Sequence, residues 1–79
     1  MVSYTSAINA LTGIIHNINS SDIEPDMRDF CVNIAVHTCI DTNAANDWPN
    51  DAVIHLLEIN KQRFPEYEAV FNTAISLVE

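Results

Sequence analysis

His37 and Asp41 stand four residues apart, and Asp51 and His55 repeat that interval with the order reversed. On a helix such pairs share a face, the spacing of two metal ligands or of a histidine steered by a carboxylate. A tight zinc site needs three or four converging donors, and neither an HExxH segment nor a close cysteine pair accompanies these two. His16 belongs to a different predicted helix. The pairs therefore read as polar helix surface, and no metal and no other cofactor is expected.

Cys31 and Cys39 are the next candidates. On one helix they lie about 12 Å apart along its axis, too far for a disulfide, which needs Cα atoms within about 7 Å. His37 is six residues from Cys31 and two from Cys39, so it points away from both. A nucleophilic thiol needs an electropositive setting, and these surroundings are acidic or apolar. Both cysteines read as buried free thiols, which suits a reducing compartment, and the expected location is the cytoplasm. A single glycine cannot build a phosphate-binding loop or a dinucleotide turn, and no Asp-x-Asp-x-Asp-Gly calcium loop occurs. Acyl carrier proteins share the length, acidity and four-helix plan, but they carry a serine in an Asp-Ser-Leu setting, where this chain has Pro25-Asp26-Met27-Arg28. The chain is read as no enzyme.

What the sequence does carry is charge of one sign. Eleven Asp plus Glu face three Lys plus Arg in 79 residues, so the formal charge is 3 − 11 = −8. Apolar residues make up 48%, too many for a disordered acidic tail. The expectation is a single domain over residues 1–79 with a real core. Asp22, Glu24, Asp26 and Asp29 fall within eight positions, relieved only by Arg28. Asp41, Asp47 and Asp51 lie around a second connection, and Glu66 and Glu68 open the last helix. Many of these sit near helix starts, where the dipole favours acids by roughly 0.3–1 kcal/mol each. The dipole does not explain the shortage of lysine on the outer faces, where Asn, Ser and Thr stand instead. Such a surface repels nucleic acid and attracts basic proteins. A basic amphipathic membrane helix, a signal peptide and an apolar run of about 20 residues are all missing, so no membrane partner is expected.

The elements that must position these groups follow from the prolines and the periodicity. Pro25, Pro49 and Pro65 each precede acids and suit the first turn of a helix. With one helix before them, the sequence predicts an all-α, compact four-helix bundle, with helices over about 3–18, 25–42, 49–63 and 65–78. Ser3 or Thr5 caps the first, in which Tyr4, Ile8, Leu11, Ile15 and Ile18 form one stripe widened by Ala7 and Ile14. Gly13 lies on the other side, either tolerated or marking a close backbone approach. The second helix is apolar around most of its circumference, with Asp29, Asn33, His37 and Asp41 as a narrow polar strip, and is therefore placed at the centre. Val53, Leu56, Leu57 and Asn60 share a face of the third, and Tyr67, Val70, Phe71, Ala74, Leu77 and Val78 one of the fourth. Residues 43–48 read as a loop. Its Trp48, with Tyr4 and Phe64, either forms an exposed aromatic patch or staples helix ends to the core.

The functional expectation is a non-catalytic acidic protein-binding module. It would inhibit or modulate a larger protein by occupying its basic, nucleic-acid-binding surface, as small acidic proteins of phages and mobile elements do. The residues expected at that contact are Asp22, Glu24, Asp26, Asp29, Asp47, Trp48 and Asp51. The alternative is a self-associating helical dimer, closed by surplus apolar surface, with a structural or adaptor role.

Overall fold

Apolar residues at intervals of three and four build the core from all four helices. In a computed structural model, residues 4–79 are described, and they form α1 (Tyr4–Ser20), α2 (Pro25–Ala45), α3 (Asn50–Arg63) and α4 (Glu68–Val78), the last entered through a 3-10 turn at Pro65–Tyr67. The all-α four-helix bundle is as expected. The expected start at Ser3 lies outside the described residues. Ile8, Leu11 and Ile15 of α1 are buried against Val53, Leu56 and Leu57 of α3, Val32 and Val36 of α2, and Tyr67, Phe71 and Ala74 of the last segment. Each large side chain so enclosed stabilises the fold by roughly 1.5–3 kcal/mol.

The helices are arranged around that core in the order α1, α2, α4, α3, so α1 and α4 lie diagonally and α2 meets α3 only sparsely. Tyr4 pairs with Ala52, Thr12 with Asn60 and His16 with Phe64, a constant offset of 48 residues. A constant offset means that α1 and α3 run in the same direction. Two αα-hairpins, α1–α2 and α3–α4, therefore pack side by side. The 21 residues of α2 rise about 31 Å, nearly the full 35 Å length of the molecule.

Each connection has a local cause. Ser21 turns its hydroxyl back onto the Asn17 carbonyl, while the Glu24 carbonyl accepts the Met27 and Arg28 amides to open α2. The segment 43–48 is not all loop, because α2 continues to Ala45. Asp47 then adopts φ 58° and the Trp48 amide donates to the Asn43 carbonyl, a left-handed helix stop that an Asp tolerates better than most residues. Pro49 precedes α3 in extended geometry. At the α3–α4 corner Phe64 is buried, and Pro65 starts the 3-10 turn without a loop.

One expectation needs correction, and one open alternative closes. Although α2 touches all three other helices, it is not enclosed by them. Met27, Phe30 and Ile34 are exposed at 50%, 57% and 50%, whereas Asn33 and His37 of the expected polar strip are half-buried. Four helices around one core leave every helix an outer face, and among the described residues no further element covers that of α2. Gly13 marks no close approach either, since a Cβ placed there would meet nothing within 4 Å.

Candidate functional site

The carboxylates lie on the outside without exception: all eleven acidic residues are exposed. Asp26, Asp51, Glu66 and Glu68 occupy first turns of helices, where the dipole accounts for them. Asp22 and Glu24 lie in the α1–α2 connection, Asp29 one turn into α2, and Asp47 in the α2–α3 turn. None of the three Lys and Arg residues forms an ion pair with them among the described residues. Lys61 Nζ donates to Asn72 Oδ1 at 2.8 Å, and Arg63 Nη1 donates to Thr12 Oγ1 at 2.8 Å and to Asn9 Oδ1 at 3.3 Å. Arg28 is half-buried, with its Nε enclosed and unpartnered.

The seven expected contact residues do not form one patch. Asp22, Glu24, Asp26 and Asp29 gather where α2 begins, whereas Asp47, Trp48 and Asp51 gather where it ends, about 30 Å away along the helix. The first group shares its end of the bundle with Glu66 and Glu68, and with Arg28, Lys61 and Arg63. There the Tyr67 hydroxyl donates to Asn19 Oδ1 and ties the 3-10 turn to the end of α1. Burial raises the Tyr67 pKa above the ordinary tyrosine value; the Glu66 and Asp29 charges add to this and Arg28 opposes it. The second group has no Lys or Arg near it in sequence. Its Tyr4 donates to the Ala52 carbonyl at 3.0 Å, stacks on His55 and meets the Trp48 ring at 5.5 Å between centroids. Trp48 packs against the core, so the stapling role holds, but it stays partly exposed.

What sequence reasoning missed is a groove. An open cavity of about 530 Å³ runs between α1 and α2 and ends at Trp48, and no charged residue lines it. Ala7, Ala10, Ile14 and Ile18 form its α1 side, and Ile34, Ala35 and Cys39 much of its α2 side. Ile14 is 47% exposed. The signal that was available is a second face of α2, in which Cys31, Ile34, Thr38 and Thr42 recur at intervals of three and four without a charge, together with Ile14 at the edge of the α1 stripe. Cys31 and Cys39 both line this groove as free thiols. Burial raises the Cys39 pKa, and the hydrogen bond from Asn43 Nδ2 to its Sγ, at 3.4 Å, works against that.

His16 packs edge-on against Phe64 and His55 stacks on Tyr4. Among the described residues no three His, Cys, Asp or Glu side chains come together as a metal-holding group, and no helix is long and apolar enough to cross a membrane. The described residues form a small helical bundle with acidic residues at both ends and an apolar groove between α1 and α2. Comparison with protein-family models, curated proteins and solved structures finds no match for the chain.

Proposed function

We propose that the protein is a non-catalytic binding module that offers its acidic surface to a basic surface on a larger protein, of the kind that grips nucleic acid, and so blocks or modulates it. The observation that carries this reading is the pairing pattern: eleven exposed carboxylates, with Lys61 and Arg63 engaged by neutral amides and a hydroxyl instead. An acidic field without internal partners raises the encounter rate with a cationic surface and repels phosphate. The same reading takes a phage or mobile-element setting and the cytoplasm as its context, the latter supported by two free thiols.

The experiment is capture of partners from host lysate, followed by a salt titration of the complex. The captured protein should be basic and should dissociate progressively as salt rises, with affinity reduced when Asp22, Asp26 and Asp29, or Asp47 and Asp51, are changed to Asn. Retention indifferent to ionic strength would refute the electrostatic reading. A second reading, a homodimer, is favoured by exposed Ile14, Met27, Phe30 and Ile34. Sedimentation at micromolar concentration separates the two, because a strict monomer rejects it.

A further inference from the structure

The α1–α2 groove has the length and shape of a helix seat. Its α2 side runs from Cys31 to Asn46, a rise of about 22 Å, or roughly four helical turns. Small residues, Ala7, Ala10 and Ala35, allow close approach, while Ile14 and Ile34 stand half-exposed beside them. Met27 and Phe30 continue the exposed apolar surface beyond the groove, along the outer face of α2, about two turns and one turn before Ile34. A small molecule filling the cavity would leave these two uncovered, but a long apolar stripe would not.

The charges around the groove select among stripes. α1 carries no Asp, Glu, Lys or Arg at all. On the α2 side Asp41 and Asp47 stand at the Trp48 mouth, and Asp22, Glu24, Asp26 and Asp29 at the other. Arg28, the one Lys or Arg of α2, is half-buried and close enough to Tyr67 to act on its ionisation, and Lys61 and Arg63 at the same end of the bundle belong to α3 and do not line the groove. A second copy would bring −8 against −8 with these acids meeting each other, and like-charge juxtaposition costs several kcal/mol.

We infer that this groove seats an amphipathic helix of the basic partner, about four turns long, with aliphatic residues at intervals of three and four and Lys or Arg at both ends. The inference rests on the binding role proposed above and names where and how the partner is held. Trp48, the only tryptophan, reports on occupancy through its fluorescence.

The test uses the purified chain and four probes. Three are tryptophan-free peptides of about 16 residues: an amphipathic Leu/Lys helix, its Leu/Glu twin, and a Lys/Ser peptide of the same charge as the first. The fourth is dodecanoate. The Leu/Lys peptide should bind one to one, change Trp48 emission and confine amide NMR shifts to α1, α2 and the turn before α3. Its affinity should exceed that of either other peptide by about tenfold or more, and Ile34→Asn or Ile14→Asn, both at half-exposed positions, should reduce it by about tenfold. Equal binding of the Lys/Ser peptide, without shifts in the groove, overturns the seat and leaves the acidic reading standing. Equal binding of the Leu/Glu twin overturns the charge selection and the acidic reading with it. Dodecanoate binding where no peptide binds, shifts in the groove on self-association, or no binding at all each overturn the inference.

Discussion

Asn60 is completely enclosed, and its replacement tests whether the contact between α1 and α3 is held by a specific polar clasp. Its Oδ1 accepts the Thr12 hydroxyl at 2.6 Å, and its Nδ2 donates to the Leu56 carbonyl at 3.1 Å and, more weakly, to the Ile8 carbonyl at 3.5 Å. The carbonyls belong to helices and keep their own backbone bonds, so Asn60→Ala leaves few groups stranded. The loss is one good inter-helix hydrogen bond, about 1 kcal/mol, plus the vacated volume, which brings the total to about 2–3 kcal/mol. Thr12→Val removes the same bond and should cost about 1 kcal/mol. A domain of this size has roughly 4–12 kcal/mol in all, so both variants remain folded and urea denaturation can measure them. The double variant should cost less than the sum, with a coupling of about 1 kcal/mol. Arg63→Ala, which removes only exposed bonds, should stay within about 0.5 kcal/mol. If Asn60→Ala and Thr12→Val add to within about 0.3 kcal/mol, the clasp contributes nothing and the reasoning fails.

Gly13→Ala fills open space on an exposed helix face and should stabilise the protein by up to about 1 kcal/mol, raising the melting temperature by several degrees; a lower melting temperature would mean that the position is occupied. Tyr67 binds its proton more tightly when folded, because its pKa is raised above the unfolded value of about 10. Its contribution to stability is therefore complete below about pH 10 and is lost as pH climbs through the folded value. Denaturation at rising alkaline pH should show a loss that Tyr67→Phe reduces; a gain in stability above pH 10 would contradict the sign. Tyr4, raised by burial alone, should titrate late in the same absorbance experiment.

Helices with one apolar stripe were readable in advance, and helices with two were not. Ile8, Leu11 and Ile15, and Val53, Leu56, Leu57 and Asn60, could be assigned to inner faces because the opposite side of each helix is polar. Sequence periodicity puts Asn60 inside, but its partner Thr12 is no part of the apolar stripe of α1, and only the relative rotation of α1 and α3 brings them together. α2 offered no such contrast. An apolar pattern around most of a helix reads as a central position, whereas here Val32 and Val36 supply the buried face and Phe30 and Ile34 a second, exposed one. The Asn-Asp cluster before Trp48 looked like a loop because its residues favour turns, yet the same preference lets Asp47 end a longer helix. The exposure of the acids followed from their chemistry. Their division between two ends of α2 followed from helix length, which was underestimated, and the groove from helix pairing, which no periodicity reports.

Eleven carboxylates face only three Lys and Arg side chains, none of them ion-paired among the described residues, so dissolved cations neutralise most of the charge. In solution the protein carries a diffuse atmosphere of small ions that belongs to the surface described above as much as the side chains do. A basic partner settling on it takes their place and sets them free, and the gain is entropic. Affinity then falls as salt concentration rises, because dissolved ions screen the charges on both surfaces. The steepness of that fall would grow with the number of the eleven carboxylates that the partner covers.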